Sequence, residues 1–252
     1  MSELIIDAHA HLTDAPSPAE LDAVLARAET ASVAAVVTAA ARPDDFAPVE
    51  RLICRTGRIR LFGALGIHPW YAAVHDPNRL GALREALSRL EAPLIGEIGL
   101  DFGPKGLAAA PKEAQRELFD AQLRLADERC LPVVVHACRT GGEVFAAIRP
   151  YRRIPAVLVH GSTEPVPSWA LSERFFFSFS AGETAPGRRR GREAVRRLAV
   201  SVPEQILPES DFPAGGREPA GTVETAAALE ELGARPLAAA ARFAEQFGLF
   251  HP

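Results

Sequence analysis

PLIGEIGLDF, residues 93–102, is an almost unbroken apolar run interrupted by two carboxylates, Glu97 and Asp101. A strand with one solvated face alternates apolar and polar residues, whereas a strand buried on both faces does not. Eight runs of this buried kind recur along the chain: LIIDAH (4–9), SVAAVVTAA (32–40), RLFGALGIHP (60–69), PLIGEIGLDF (93–102), LPVVVHA (131–137), PAVLVHG (155–161), RFFFSFSAG (174–182) and EQILPESDFP (204–213). Helical spacing separates them. Leu21, Val24, Leu25 and Ala28 share one face, as do Leu80, Leu83, Leu87 and Leu90, and then Phe119, Leu123, Ala126 and Cys130. Eight strand-type runs, each trailed by helix-type sequence within 252 residues, predict the α/β class and a (β/α)8 TIM barrel. A doubly wound open sheet is the alternative. No linker or low-complexity tract interrupts the rhythm, so a single domain is expected over 1–252.

Bulk composition narrows the function. A hydrophobic content of 48% supports a sizeable core. No stretch approaches the roughly 18 apolar residues of a membrane span, and no membrane partner is expected. The N-terminus runs straight into a strand without a signal-peptide succession, which predicts a cytoplasmic protein. Cys54, Cys130 and Cys138 form no CxxC pair, which fits a reducing compartment and argues against thiolate zinc. The net charge of -4 is not that of a protein holding nucleic acid by bulk electrostatics, so any such contact must be local or weak.

The polar residues gather at one end of the strands. His9 and His11 end the first run, His68 the third, Glu97 and Asp101 the fourth. His136 ends the fifth with Arg139 just after it, His160 the sixth and Asp211 the eighth. In a closed eight-stranded barrel all these ends meet around one mouth. Histidines at i and i+2 project from the same side of a strand and can grip one ion. Four imidazoles and two carboxylates exceed one tetrahedral ion and suit two divalent ions with a bridging carboxylate, an arrangement that clamps both oxygens of a hydrolysis. His75 and His251 fall outside the pattern and read as surface residues.

DAHAHL, GIHPW, GEIGLDF, VHACR, the strand-ending His160 and ESD followed two residues on by Pro213 come in order along nearly the whole chain. Together they resemble the TatD family of metal-dependent hydrolases, within the amidohydrolase-like barrels. The resemblance implies one or two divalent ions (Zn, Mg or Mn) and hydrolysis of phosphodiesters, in DNA or a small phosphodiester. It implies His9 and His11 as ligands of a first ion, His136 and His160 of a second, and Glu97 as the carboxylate joining both. Asp211 is implied as the last ligand and as acceptor of a proton from water, which with Glu97 makes the catalytic pair. His68 and Arg139 are implied at the substrate phosphate. Asp7, Asp101 and Glu209 are then read as groups that orient the imidazoles. Two departures stand out. The family commonly follows the sixth-strand histidine with Cys, Phe, Ser and Gly, where this chain has HGSTEP, and its ETD is here PESD at 208–211.

Two other readings compete: a lactonase or amidase on a related barrel, and a degenerate barrel serving as a binding scaffold. Against barrels that join their metals through a modified lysine, the fourth strand offers Glu97 and no nearby strand lysine. The run GRRRGREAVRR (187–197) reads as the solvated face of the seventh helix, with Val195, Leu198 and Ala199 packed inward. Replacing Arg188, Arg189 and Arg190 with serine is therefore expected to leave the slope of log affinity for single-stranded DNA against log salt unchanged. A slope reduced by about one per arginine, measured by fluorescence anisotropy, would show phosphate contacts instead.

Overall fold

The computed structural model describes residues 4–91 and 93–249. Its eight strands are β1 (Ile5–Ala10), β2 (Val33–Ala39), β3 (Arg60–Leu65), β4 (Leu94–Asp101), β5 (Val133–Cys138), β6 (Val157–His160), β7 (Phe175–Phe179) and β8 (Ile206–Pro208). They form one sheet in sequence order, and every neighbouring pair is parallel. The helices are α1 (Pro18–Thr30), α2 (Phe46–Ile53), α3 (Arg79–Leu87), α4 (Pro104–Ala109), α5 (Lys112–Arg129), α6 (Glu143–Ile148), α7 (Ala181–Thr184), α8 (Arg189–Ser201), α9 (Thr222–Glu231) and α10 (Pro236–Gln246). This is the expected (β/α)8 barrel, with local differences that have physical causes.

The crossover from β6 to β7 carries a 3-10 turn, Ser168–Ala170, in place of the expected α-helix. Pro165 and Pro167 fall in this segment, and each removes a backbone donor that a helix would use. β8 is shorter than its apolar run. Pro208 makes the last register pair, with Phe179, and after one further hydrogen bond, Glu209 N–H to Phe179 O at 3.1 Å, the chain leaves the ladder. The seam between β8 and β1 is closed beyond that point by two backbone hydrogen bonds, Asp211 N–H to His9 O at 3.0 Å and His11 N–H to Phe212 O at 2.7 Å. Asp211 reaches its place with φ at +51°, a left-handed conformation that aspartate tolerates better than most residues. Ala110-Pro111 divides the long helical segment after β4 into α4 and α5. Cys130, expected on the apolar stripe of α5, instead caps it at φ +54° and is exposed.

Two irregularities aim the site. The β1–β2 register slips between Asp7 and Ala10. Before the slip, Ile6 and Ala8 pack in one cluster with Ala35, Val37, Phe176 and Leu207; after it, Ala10 and Leu12 pack with Val24 and Ala28 of α1. Residues of the same parity thus face opposite sides across the slip, which turns His9 and His11 to the side that Ile6 and Ala8 had occupied. The β4–β5 register slips likewise between Ile95 and Ile98. Leu94 belongs to the first cluster, whereas Ile95, Ile98 and Leu100 pack with Leu118, Phe119 and Leu123 of α5. Glu97, Gly99 and Asp101 are left facing the other way. Gly99 (φ +138°) is required where it stands, because an added Cβ would lie 2.1 Å from His136 O.

At the far end of the barrel, Phe243 of α10 and Phe247, which caps it, pack edge-on against Phe176, with ring centroids 5.5 and 5.9 Å away. The Phe176 side chain is fully buried. Phe176→Ala should lower stability by about 3–5 kcal/mol, read as a shift of the urea midpoint without change in slope.

Candidate metal centre and active site

β1, β4, β5 and β6 deliver their polar side chains to one place. His136 and His160 are register partners on adjacent strands, and Gly99 and Ser178 flank them in the same row. Glu97 is the hub. Its Oε1 lies 2.7 Å from His160 Nε2 and 2.8 Å from His136 Nδ1, and its Oε2 lies 3.1 Å from His11 Nε2 and 3.6 Å from His9 Nε2. Asp211 Oδ1 is 3.9 Å from His9 Nε2, and the His9 ring stacks on that of His160 with centroids 4.1 Å apart. All six residues expected to hold metal therefore converge. The donor atoms group as His9, His11 and Glu97, and as His9, His160 and Asp211, each set lying within 4.8 Å. Asp211 thus stands nearer to His9 than a division by strand pairs suggests.

The hydrogen-bond partners fix which atoms carry lone pairs. The Nδ1–H of His11 donates to Ala39 O at 3.0 Å, so Nε2 is its free acceptor. The Nδ1–H of His160 points to Glu209 Oε1 at 3.3 Å, so its Nε2 is free as well. His136 Nε2 faces Asp101 Oδ2 at 3.6 Å, leaving Nδ1 toward Glu97. His136 Nδ1, His160 Nε2 and Glu97 Oε1 then form a triangle of acceptors, the two nitrogens 2.9 Å apart. Lone pairs crowded this closely repel unless positive charge sits among them. Both ring nitrogens of buried His9, together with Glu97 Oε1 and His136 Nε2, lack any hydrogen-bond partner, a costly condition for buried polar atoms. The donor set, imidazole plus carboxylate, is one that divalent ions accept. The residues fit a metal.

The electrostatics agree. Burial alone would raise the Glu97 carboxyl, but His68, His160, His9 and His136 around it outweigh burial and hold it well below the usual carboxylate range. Burial opposes the charging of His136 and His160, yet Glu97 and Asp101 lift His136 to about 10, and Glu209 with Glu97 lifts His160 well above its ordinary value. The carboxylates call for positive charge among the rings, which a divalent cation supplies without protonating them. Burial instead drives His68 down to about 3.

His68 sits apart from the four other imidazoles in role. Its Nδ1 accepts the Trp70 backbone N–H at 3.2 Å, so Nε2 carries the proton, 3.7 Å from Glu97 Oε1. It is a neutral donor aimed into the site. Arg139, just past β5 with φ +55°, is exposed and makes no side-chain hydrogen bond or ion pair among the described residues. Asp101 and Glu209 contact His136 and His160, as expected of orienting groups, and Ser178 Oγ donates to Glu209 Oε2. Asp7 does not reach an imidazole. It accepts from Ser210 Oγ at 2.6 Å and from the Ser210 and His9 amides at 2.9 and 3.3 Å, and burial raises it to about 7. Its role is to tie β1 to the loop after β8, with Ser210 filling the hydroxyl place in PESD.

Some contributors escape sequence reasoning. Gln115 and Gln122 share a face of α5 and are fully buried. Gln115 clamps the backbone of Asp101, accepting from its N–H at 2.8 Å and donating to its O at 2.9 Å. Gln122 does the same for Ile67, at 2.8 and 3.0 Å, beside His68. Their spacing of seven on an otherwise apolar stripe was the available signal. Cys138 lies two residues after His136 on β5, and its Sγ comes within 4.8 Å of donor atoms of Asp101 and His136, nearer the centre than cysteine spacing implied. In the HGSTEP loop, Glu164 accepts from Thr140 Oγ1 at 2.8 Å, tying the loops after β5 and β6 together. His75 is exposed, as expected, and His251 lies outside the described residues.

A parallel barrel that gathers imidazoles and carboxylates at the carboxyl ends of its strands is built as a metal-dependent hydrolase, and the chain falls in that class. Within it the chain belongs to the TatD-related DNase family, whose model matches residues 6–246. It is 31% identical over 217 residues to an uncharacterized metal-dependent hydrolase, YjjV, of Escherichia coli, covering 82% of this chain and 79% of that one. It is 30% identical to the human deoxyribonuclease TATDN3, covering 85% and 80%, and 29% identical to the 3'-5' ssDNA/RNA exonuclease TatD of Pantoea ananatis, covering 83% and 79%. The crystal structure of Escherichia coli YjjV superposes with a TM-score of 0.81 at 28% identity, covering 99% of this chain and all of that one. Among the described residues, no helix is long and apolar enough to cross a membrane.

If the acceptor cluster is a metal site, Mn²⁺ or Zn²⁺ at a hundredfold excess over Kd should stabilise the fold by about 2.7 kcal/mol, raising Tm by roughly 5–10 °C. Glu97→Gln should remove most of that rise in a scanning-calorimetry comparison of the chelated and loaded proteins.

Proposed function

We propose that this protein is a divalent-metal-dependent phosphodiesterase acting on DNA, with His9, His11, Glu97, His136, His160 and Asp211 holding one or two ions of Zn, Mn or Mg. The observation that carries the reading is the triangle of acceptors around Glu97 Oε1, 2.7 to 2.9 Å on a side, at the mouth of a TatD-family barrel. When bound, such an ion lowers the pKa of water and offsets negative charge on phosphoryl oxygens. Support for DNA as substrate comes from the human and Pantoea relatives, which carry nuclease names. Lys105 and Lys112 lie on α4 and α5 rather than on a strand, so a lysine-bridged centre has no residue to build it.

The protein's own groups divide the remaining work. Asp211 is the most accessible of the six, its side chain 29% exposed, and faces His9. Its carboxylate takes the proton of the attacking water as the new P–O bond forms and the ester oxygen leaves. The His68 Nε2–H donates to a non-bridging oxygen. Arg139, free of internal partners, offers its fork of donors to the phosphate. Glu209 and Asp101 hold the His160 and His136 rings in the tautomers that aim lone pairs inward. Glu97, 2% exposed, keeps both rings and both sides of the centre in register.

Hydrolysis of a single-stranded DNA oligonucleotide in the presence of Mn²⁺, Mg²⁺ or Zn²⁺ tests this reading. His136→Ala and Asp211→Ala should each lose more than about a hundredfold in kcat/KM, and Glu209→Gln about 10–100-fold. Wild-type rates in folded His136→Ala and Asp211→Ala would overturn the assignment. Hydrolysis of a lactone panel in preference to DNA would move the substrate to carboxylic esters.

A further inference from the structure

Few large apolar side chains are exposed among the described residues: Trp70, Val74, Leu107 and Val200. Trp70 alone of these is aromatic and alone is bonded to the site. Its indole Nε1–H donates to Asp101 Oδ2 at 2.6 Å, and its backbone N–H donates to His68 Nδ1 at 3.2 Å. Its ring stands perpendicular to His68, with centroids 5.1 Å apart. Asp101 in turn faces His136 at 3.6 Å. The indole therefore has every polar atom satisfied and its orientation fixed from two sides, yet 39% of the residue remains in solvent. A tryptophan needed for packing hides its face, and one needed as a hydrogen-bond donor does not require an exposed ring.

Arg139 lies close to the same carboxylate. A Cβ added at Gly103 would sit 2.9 Å from Asp101 Oδ1 and 4.0 Å from Arg139 Cδ, so Gly103 borders both the arginine stem and the carboxylate that pins the indole. An unpaired guanidinium and a fixed aromatic face, both next to a candidate phosphodiester-cleaving centre, form a pairing suited to a nucleotide. The cation meets the phosphate and the ring meets the base.

We propose that Trp70 is the stacking platform for the nucleobase adjoining the scissile phosphodiester. The inference rests on the phosphodiesterase reading above and adds to it a specificity-determining residue. Stacking needs a base free of its duplex neighbours, and it reads no sequence, because every base has a π-face. The Trp70 ring acts on binding, so loss of its aromatic face falls on KM, whereas loss of the indole donor to Asp101 is common to every substitution here.

Two measurements test this. The first is steady-state hydrolysis of single-stranded decathymidylate and of an abasic decamer with the same sugar–phosphate backbone. Trp70→Leu and Trp70→Phe both lose the indole donor to Asp101, so any change in kcat should be shared by the two variants on both decamers; beyond it, Trp70→Leu should raise KM for decathymidylate about 5- to 150-fold over Trp70→Phe, and the abasic decamer should not distinguish the two variants. An equal KM increase on the abasic decamer, or no increase on decathymidylate, overturns the platform. The second is binding without turnover, in Trp169→Phe protein, where Trp70 is the sole tryptophan. Thymidine 5'-monophosphate should quench its emission, whereas deoxyribose 5-phosphate at the same concentration should not. If no protein cleaves either decamer, the phosphodiesterase reading fails, and the quenching decides the stacking by itself: its absence overturns the platform and its presence supports it.

Discussion

Everything at the mouth of this barrel depends on one electrostatic constraint: the acceptors at Glu97 Oε1, His136 Nδ1 and His160 Nε2 cannot stand within 2.9 Å of one another without positive charge between them. A fold does not assemble such a cluster for stability, because buried lone pairs without donors cost free energy. The apolar barrel around it, with Phe176, Leu207 and Val134 below and α-helices outside, provides the rigidity that holds the cluster in place. The core thus works against the tendency of the site to splay apart, and the binding free energy of a cation would offset the strain.

The orienting partners follow from the same constraint. A histidine that must present a lone pair inward needs its other nitrogen engaged outward. Ala39 O does this for His11 and Glu209 for His160, while Asp101 Oδ2 faces His136 Nε2 at 3.6 Å. Each of these partners is itself held: Glu209 by Ser178, and Asp101 by Trp70 Nε1 and the Gly103 amide while Gln115 grips its backbone. His9 is the exception. It has no partner on either nitrogen, and its ring is positioned by stacking on His160 and by the backbone bond from Asp211 to its carbonyl. Asp211 and His9 are therefore tied together across the seam of the barrel.

Much of this was legible in the sequence because periodicity and residue type both survive folding. The eight buried runs became eight strands, and Glu97, His136 and His160 converged because their strands are parallel and in register. What could not be read depends on register. The slips in β1 and β4 reverse which face a given parity occupies, and nothing in IIDAHA or LIGEIG announces them. Without the slip, simple alternation would put His9 on the face of Ile5 rather than of Ile6, and Glu97 on the face of Ile95 rather than of Leu94. The helix expected after β6 gave way to a 3-10 turn because two prolines remove the donors it needs, a signal that was present but unused. Asp7 was misplaced for a different reason: its position before an HxH pair suggests an imidazole contact, but the chain after β8 brings Ser210 to it from two hundred residues away.

The two departures from family pattern now have separate physical meanings. Serine at 210 preserves what the hydroxyl does, since Ser210 Oγ donates to Asp7 and also accepts from the Phe212 amide at 3.2 Å. Pro208 makes the last β7–β8 register pair, Glu209 N–H still donates to Phe179 O at 3.1 Å, and residues 210–212 then turn across the seam, where the Asp211 N–H and Phe212 O bond to β1. The HGSTEP loop is different in kind. Gly161 takes φ +60°, and Glu164 reaches Thr140 on the neighbouring loop. These contacts brace the mouth beside His160 without placing a side chain among the metal donors. The chemistry of the centre and the shape of its approach are thus set by different segments, and a change in the second leaves the first intact.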